Sequence, residues 1–431
     1  MTAIVGILNT QGMAIAADSA ATISNAQDVK KVHHKGNKIF TLSKYHPIGI
    51  AVYAGATFMD IPWETLIKMY RSKLNDTFYP KVEDYRVDFL KYLKSNIALI
   101  TKESKSKYFY SLANSAYSEL VARMQGELQT EITNLQNSPD QPNFVQTMFD
   151  KVIAELKTQT EGVSRNPELD IEYESFKNAY VDELIQINLW IIKSVNDSIP
   201  GLNPPFNLSA QNAEDMKCII HLSTMFDKIF ENYTGLVFFG YGETEIFPSS
   251  HLVHVGAAID SSIRYKVESS VVISSGLIEA NIVPYAQRDV TYSVLTGINP
   301  KVNQEVNQSI KKTVETLKDI FKSKGLSGDE EKKINDISDI FTEELRKFTF
   351  EKITSPLLEM LVHMSKEDMA ELAESLVNVT SLVSKFTETN ESVGGPVDVA
   401  VVTKGDGFVW IKRKHYFNTE LNKNYLSKYY K

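Results

Sequence analysis

The period of the hydrophobic pattern changes several times along the 431 residues. Short runs of small and β-branched residues open the chain at 2–8 and 13–18, then at 38–42 and 48–54. Each has the length and composition of a strand. From about residue 60 to 233 apolar groups recur three and four apart, as in IPWETLIKMYRSKL, YRVDFLKYLKSNIALI and ELIQINLWIIKSV. That is the spacing of helices burying one face. Strand patterns return at TGLVFFGYG (234–242) and HLVHVGAAI (251–259) and continue to about residue 285. A second helical block spans about 302–387 and contains a charged joint, SKGLSGDEEKK (323–333), expected to be mobile. GGPVDVAVVTKGDGFVWIKRK then predicts two strands around a KGDG turn. This order predicts an α+β layered architecture with helical insertions. It reads as one domain over 1–431, with a helical insertion at 60–233 and a second helical segment at 302–364.

Composition narrows the function classes. A net charge of −8, from 46 Lys+Arg against 54 Asp+Glu, argues against a nucleic-acid partner. The basic stretches IKRKHYF and LNKNYLSKYYK read as a solvated strand and tail. A single cysteine, Cys218, leaves no partner for a disulfide or a thiolate metal cluster. MTAIVGIL lacks the basic flank and length of a secretory signal. No apolar run approaches the ~18 residues needed to cross a bilayer. The expectation is a cytoplasmic protein without a membrane partner. His33, His34 and His46 read as loop positions, and GYGETE lacks the third glycine of a dinucleotide fingerprint. No metal or organic cofactor is called for.

The first two strands raise a chemical question. If they pair around NTQG with Leu8 opposite Met13, Ala3 faces Asp18, and Asp18 is a diagonal neighbour of Thr2. A slip of one residue would turn every side chain to the other face. Removal of Met1 would free the α-amine of Thr2, whose pKa of roughly 7.7–8.0 leaves part of it neutral near pH 7. Such an amine can act as general base for its own hydroxyl. Lys38, in NKIFTL, is costly to bury without an acid and is a candidate partner for Asp18. Gly55, in AGA after the 48–54 strand, lets the backbone approach a ligand and offer its N–H to a developing oxyanion.

These pieces form a recognisable order. T-A-I-V (2–5), A-A-D-S-A-A-T (16–22), K-I-x-x-L (38–42) and A-G-A (54–56) resemble the proteasome β-subunit and its simpler bacterial peptidase relatives, which are N-terminal nucleophile (Ntn) hydrolases. GLVFFGYGETEIFPSSHLVHV resembles that family's strand pair after its first two helices. KEDMAELAESLVNVTSLVSKF with VGGPVDVAVVTKGDGFVWI resembles its third helix and closing hairpin. The resemblance covers about 1–57, 234–296 and 365–415. It implies an αββα four-layer sandwich of two antiparallel sheets, here with a large helical insertion. It also implies an N-terminal threonine amidohydrolase, a peptidase acting on a peptide or amide substrate through an acyl-enzyme without a cofactor. Thr2 would be the nucleophile, Asp18 and Lys38 its activating pair, and Gly55 the oxyanion donor. Lys31, in DVKKV, competes with Lys38 for the lysine's place.

The chain also departs from the family. Ala20 stands where the family has arginine, and IVPYAQRDV (282–290) stands where a Gly-Ser-Gly loop is expected. Asn390 and Val393 occupy the places of an acidic residue and a serine. These departures support an alternative: a catalytically inactive proteasome-like fold that binds a protein partner, or assembles as a homo-oligomer, through its helical insertion.

Overall fold

A computed structural model describes residues 2–24, 30–33, 35–229, 232–322, 328–387, 393–415, 417–418 and 420–424. The described residues form an α+β structure around two five-stranded antiparallel sheets. The first sheet runs Ala280–Ala286, Ile4–Asn9, Gly12–Ala17, Asp398–Thr403, Gly407–Lys412. The second runs Ser262–Val272, Ser249–Ile259, Thr234–Gly240, Ile48–Ala54, Ile39–Thr41.

The opening strands are buried at every position, which explains their lack of polar alternation. One side of the first sheet (Val5, Ile7, Ala14, Ala16, Val399) packs on Met369, Ala373 and Val377 of the helix Lys366–Thr387 and on Leu361 of Ser355–Val362. Its other side (Ile4, Leu8, Met13, Ile15, Ala400) shares a core with Ala51, Val237, Phe239 and Leu252 of the second sheet. The remaining face of the second sheet (Ile50, Val52, Leu236, Phe238) packs on the helical segment that begins with Trp63–Leu74 and Val82–Ser95.

Local chemistry sets the helix starts. The side chains of Thr101, Asp140 and Ser209 accept the N–H groups of Ser104, Asn143 and Asn212 at 3.2, 3.2 and 3.1 Å, opening the helices Lys102–Thr130, Gln141–Glu161 and Ala210–Thr224. Asn9 is buried at the first hairpin's turn. Its Oδ1 accepts the N–H groups of Gln11 and Gly12 (2.9 and 3.2 Å), and its Nδ2 donates to the Leu361 and Met364 carbonyls (3.0 Å each). One side chain therefore shapes the turn and closes a distant helix end.

The expected joint at 323–333 needs correction. Residues 328–333 already belong to the helix Gly328–Thr349, and 323–327 lie outside the described residues. GDEEKK places acids ahead of lysines, an order that suits the start of a helix. Among the described residues no helix is long and apolar enough to cross a membrane.

Candidate active site

The first hairpin has the register expected of it, with Leu8 opposite Met13 and Ile4 opposite Ala17. Beyond the last paired residues, the Asp18 N–H donates to the Ala3 carbonyl at 3.2 Å, and the Ala3 N–H donates to Asp18 Oδ1 at 2.8 Å. The same oxygen accepts Lys38 Nζ at 2.6 Å. Oδ2 accepts the N–H groups of Ala20 and Gly394, each at 3.1 Å. Both Asp18 and Lys38 are buried. A buried carboxylate is tolerable here because its two oxygens together receive four donors, one of which, Lys38, is charged.

Lys38 precedes the strand Ile39–Thr41, and its carbonyl accepts the Val52 N–H at 2.8 Å. Burial pulls its pKa below that of a solvated lysine, against the opposing attraction of Asp18. A second ion pair lies near enough to be felt at Lys38. Asp398 pairs with Ala17 in the sheet and binds both the N–H (2.9 Å) and the ammonium of Lys414. The competing Lys31 lies in the strand Lys30–His33, which pairs with Ala21–Ser24 in a separate ribbon. Its side chain falls outside the described residues. Asn390 also falls outside them, and Val393 is buried against the first sheet's helices.

A cavity of about 830 Å³ opens at this end of the molecule, within the usual range for a small-ligand site. Thr2, Lys38 and Gly55 all line it, as does Ala20, while Asp18 sits behind Lys38. Thr234 Oγ1 donates to the Gly55 carbonyl at 3.3 Å and accepts Trp63 Nε1–H at 2.9 Å. A Cβ at position 55 would fall 2.3 Å from that hydroxyl, so the approach requires glycine. Ala54, just before it, holds a left-handed φ of 65°, a costly conformation for a residue with a Cβ.

Another group of lining residues escaped the sequence reading: Tyr53, His254, Glu268 and Arg288. Gly235 pairs with Tyr53 on one side and His254 on the other. The Tyr53 ring lies across the glycine, and its hydroxyl meets His254 Nε2 at 2.7 Å. His254 Nδ1 stands 3.3 Å from Glu268 Oε1, and the Tyr233 ring lies against the imidazole, tilted by 32° with ring centroids 4.1 Å apart. Glu268 reaches this position from a bulge: Leu252 pairs with Ser269 and Val253 with Val267, leaving Glu268 as the extra residue. Burial holds His254 below the usual imidazole pKa, so near pH 7 its Nε2 accepts the Tyr53 proton while Nδ1–H faces Glu268. Burial raises the pKa of Tyr53, against the opposing charge of Arg288, which lines the same cavity. The only signal in the sequence was a histidine and a glutamate inside strand runs, which says nothing of their meeting.

No protein-family model matches the chain, and no curated protein matches it.

Proposed function

We propose that the chain is an N-terminal threonine amidohydrolase, a peptidase built on an αββα sandwich of the Ntn type. The observation that carries this reading is the buried Asp18–Lys38 pair beside a cavity that Thr2 and Gly55 also line. Once the residue before Thr2 is removed, the freed amine takes the Thr2 hydroxyl proton while Oγ attacks an amide carbonyl. Lys38, its pKa lowered by burial, lines the cavity where it stabilises the developing alkoxide. The Gly55 N–H receives the oxyanion, the amine product leaves with the transferred proton, and water releases the acyl group.

Intact-protein mass with and without a peptide epoxyketone tests this. Loss of the residue before Thr2 plus one adduct, absent in Thr2→Ala, supports a hydrolase. A free Thr2 amine with no adduct overturns it. The second reading, a non-hydrolytic protein that binds a protein partner through the 60–233 segment, is favoured by a stripe on the helix Val181–Ser198. Val181, Ile185 and Leu189 there are 48%, 53% and 52% exposed.

A further inference from the structure

We propose that Arg288, which lines the cavity together with Tyr53, His254 and Glu268, forms a subsite for a carboxylate on the substrate. This rests on the amidohydrolase reading and narrows its substrate class to peptides or amides with an acidic group on the acyl side.

The wall is a built feature rather than a chance meeting of side chains. Gly235 leaves room for the Tyr53 ring to cross to His254, since a Cβ there would sit 2.1 Å from the ring. The bulge turns Glu268 toward the imidazole. Tyr53 has one proton to give, and it goes to His254. Tyr53 and Arg288 line the same cavity. The guanidinium is a planar fork with five N–H donors, a shape that matches a carboxylate in bidentate fashion.

Of the acids that line the cavity, Asp289 pairs with Lys301 (3.7 Å) and Glu64 with Lys68 (2.5 Å), while Glu268 faces His254 Nδ1 (3.3 Å). Among the described residues Arg288 has no ion-pair partner of its own. It is exposed and so open to a ligand, while Val52, Trp63 and Ala286 supply an apolar lining that strengthens a charge pair. Glu64, Glu268 and Asp289 share the same space, which disfavours a doubly charged phosphate and leaves a single carboxylate as the better fit.

The test uses the full chain carrying Thr2→Ala, so that binding is read without turnover. Binding is followed by titration calorimetry while acetyl-Ala-Ala-Glu-amide or its glutamine isostere is added. The acidic peptide is expected to bind roughly ten- to hundred-fold more tightly, the range for hydrogen bonds to charged groups. Arg288→Gln should bring the ratio close to one, and Arg288→Lys should recover only part of it. Equal binding of both peptides, or an unchanged ratio in Arg288→Gln, overturns the subsite. With Thr2 intact, cleavage without acid preference defeats the subsite alone. Acid-selective binding without cleavage defeats the hydrolase reading and leaves the subsite standing.

Discussion

The N–H of Gly394 donates to the Asp18 carboxylate at 3.1 Å, joining positions 376 residues apart. The same carboxylate holds Ala3, Ala20 and Lys38, so one side chain fastens separate segments of chain. Each oxygen receives two donors, and neither orientation of an asparagine amide fits them. Asp18→Asn should therefore cost about 3–5 kcal/mol. Lys38→Met leaves three backbone donors on Asp18 and should cost less, about 2–3 kcal/mol. Urea unfolding of both variants checks the ranking, and the reverse order would contradict it.

Gly55→Ala sets a methyl against Thr234 Oγ1, the acceptor of the Trp63 indole N–H. A loss of about 1–3 kcal/mol is expected, the usual cost of overpacking. Adduct formation at Thr2 should fall as well, because the shift moves the proposed oxyanion donor. Full labelling in a stably folded Gly55→Ala protein would remove Gly55 from that role.

Gly235→Ala forces the Tyr53 ring away from His254 without altering Arg288 itself. Preference for the acidic peptide should drop several-fold, since the wall of the cavity beside the guanidinium is rearranged. Retained preference would mean that Arg288 needs no support from Tyr53.

Three histidines, His221, His251 and His254, have pKa values pulled below the usual imidazole value of 6.5 by burial. As pH falls through 6.5, the unfolded chain takes up protons that the folded protein does not, so stability declines toward the folded pKa values. Urea midpoints should be lower at pH 5.5 than at 7.5, with a shallower decline in His251→Gln. A flat profile over that window would refute the assignment.

Legibility followed the distance over which each interaction acts. The hairpin register could be read because Leu8 and Met13 flank a short turn and pleat geometry fixes the rest, down to Ala3 opposite Asp18. Lys38 could be nominated because a lysine leading into an apolar strand needs an acid, and Asp18 was the acid at hand. Arg288 and Glu268 could not. Arg288 opens a short helix, Arg288–Thr296, that no strong periodicity announced, and Glu268 acts only because a bulge re-aims it. Within the expected 323–333 joint, residues 328–333 were read as linker because glycine and charge stand together there, whereas GDEEKK begins a helix; 323–327 lie outside the described residues.

The placement of the first hairpin bears on how the chain is made. Ile4–Asn9 is flanked by Ala280–Ala286, and Gly12–Ala17 by Asp398–Thr403, so both outer partners are translated long after the hairpin. At ~5–20 residues per second, a ribosome delivers the second of them tens of seconds later. Through that interval IVGILN and GMAIAA, which carry no charge and no proline, present bare edges and two apolar faces. Segments of that kind seed intermolecular β-pairing. A chain truncated before residue 398 leaves Gly12–Ala17 without its outer partner and is expected to lose solubility.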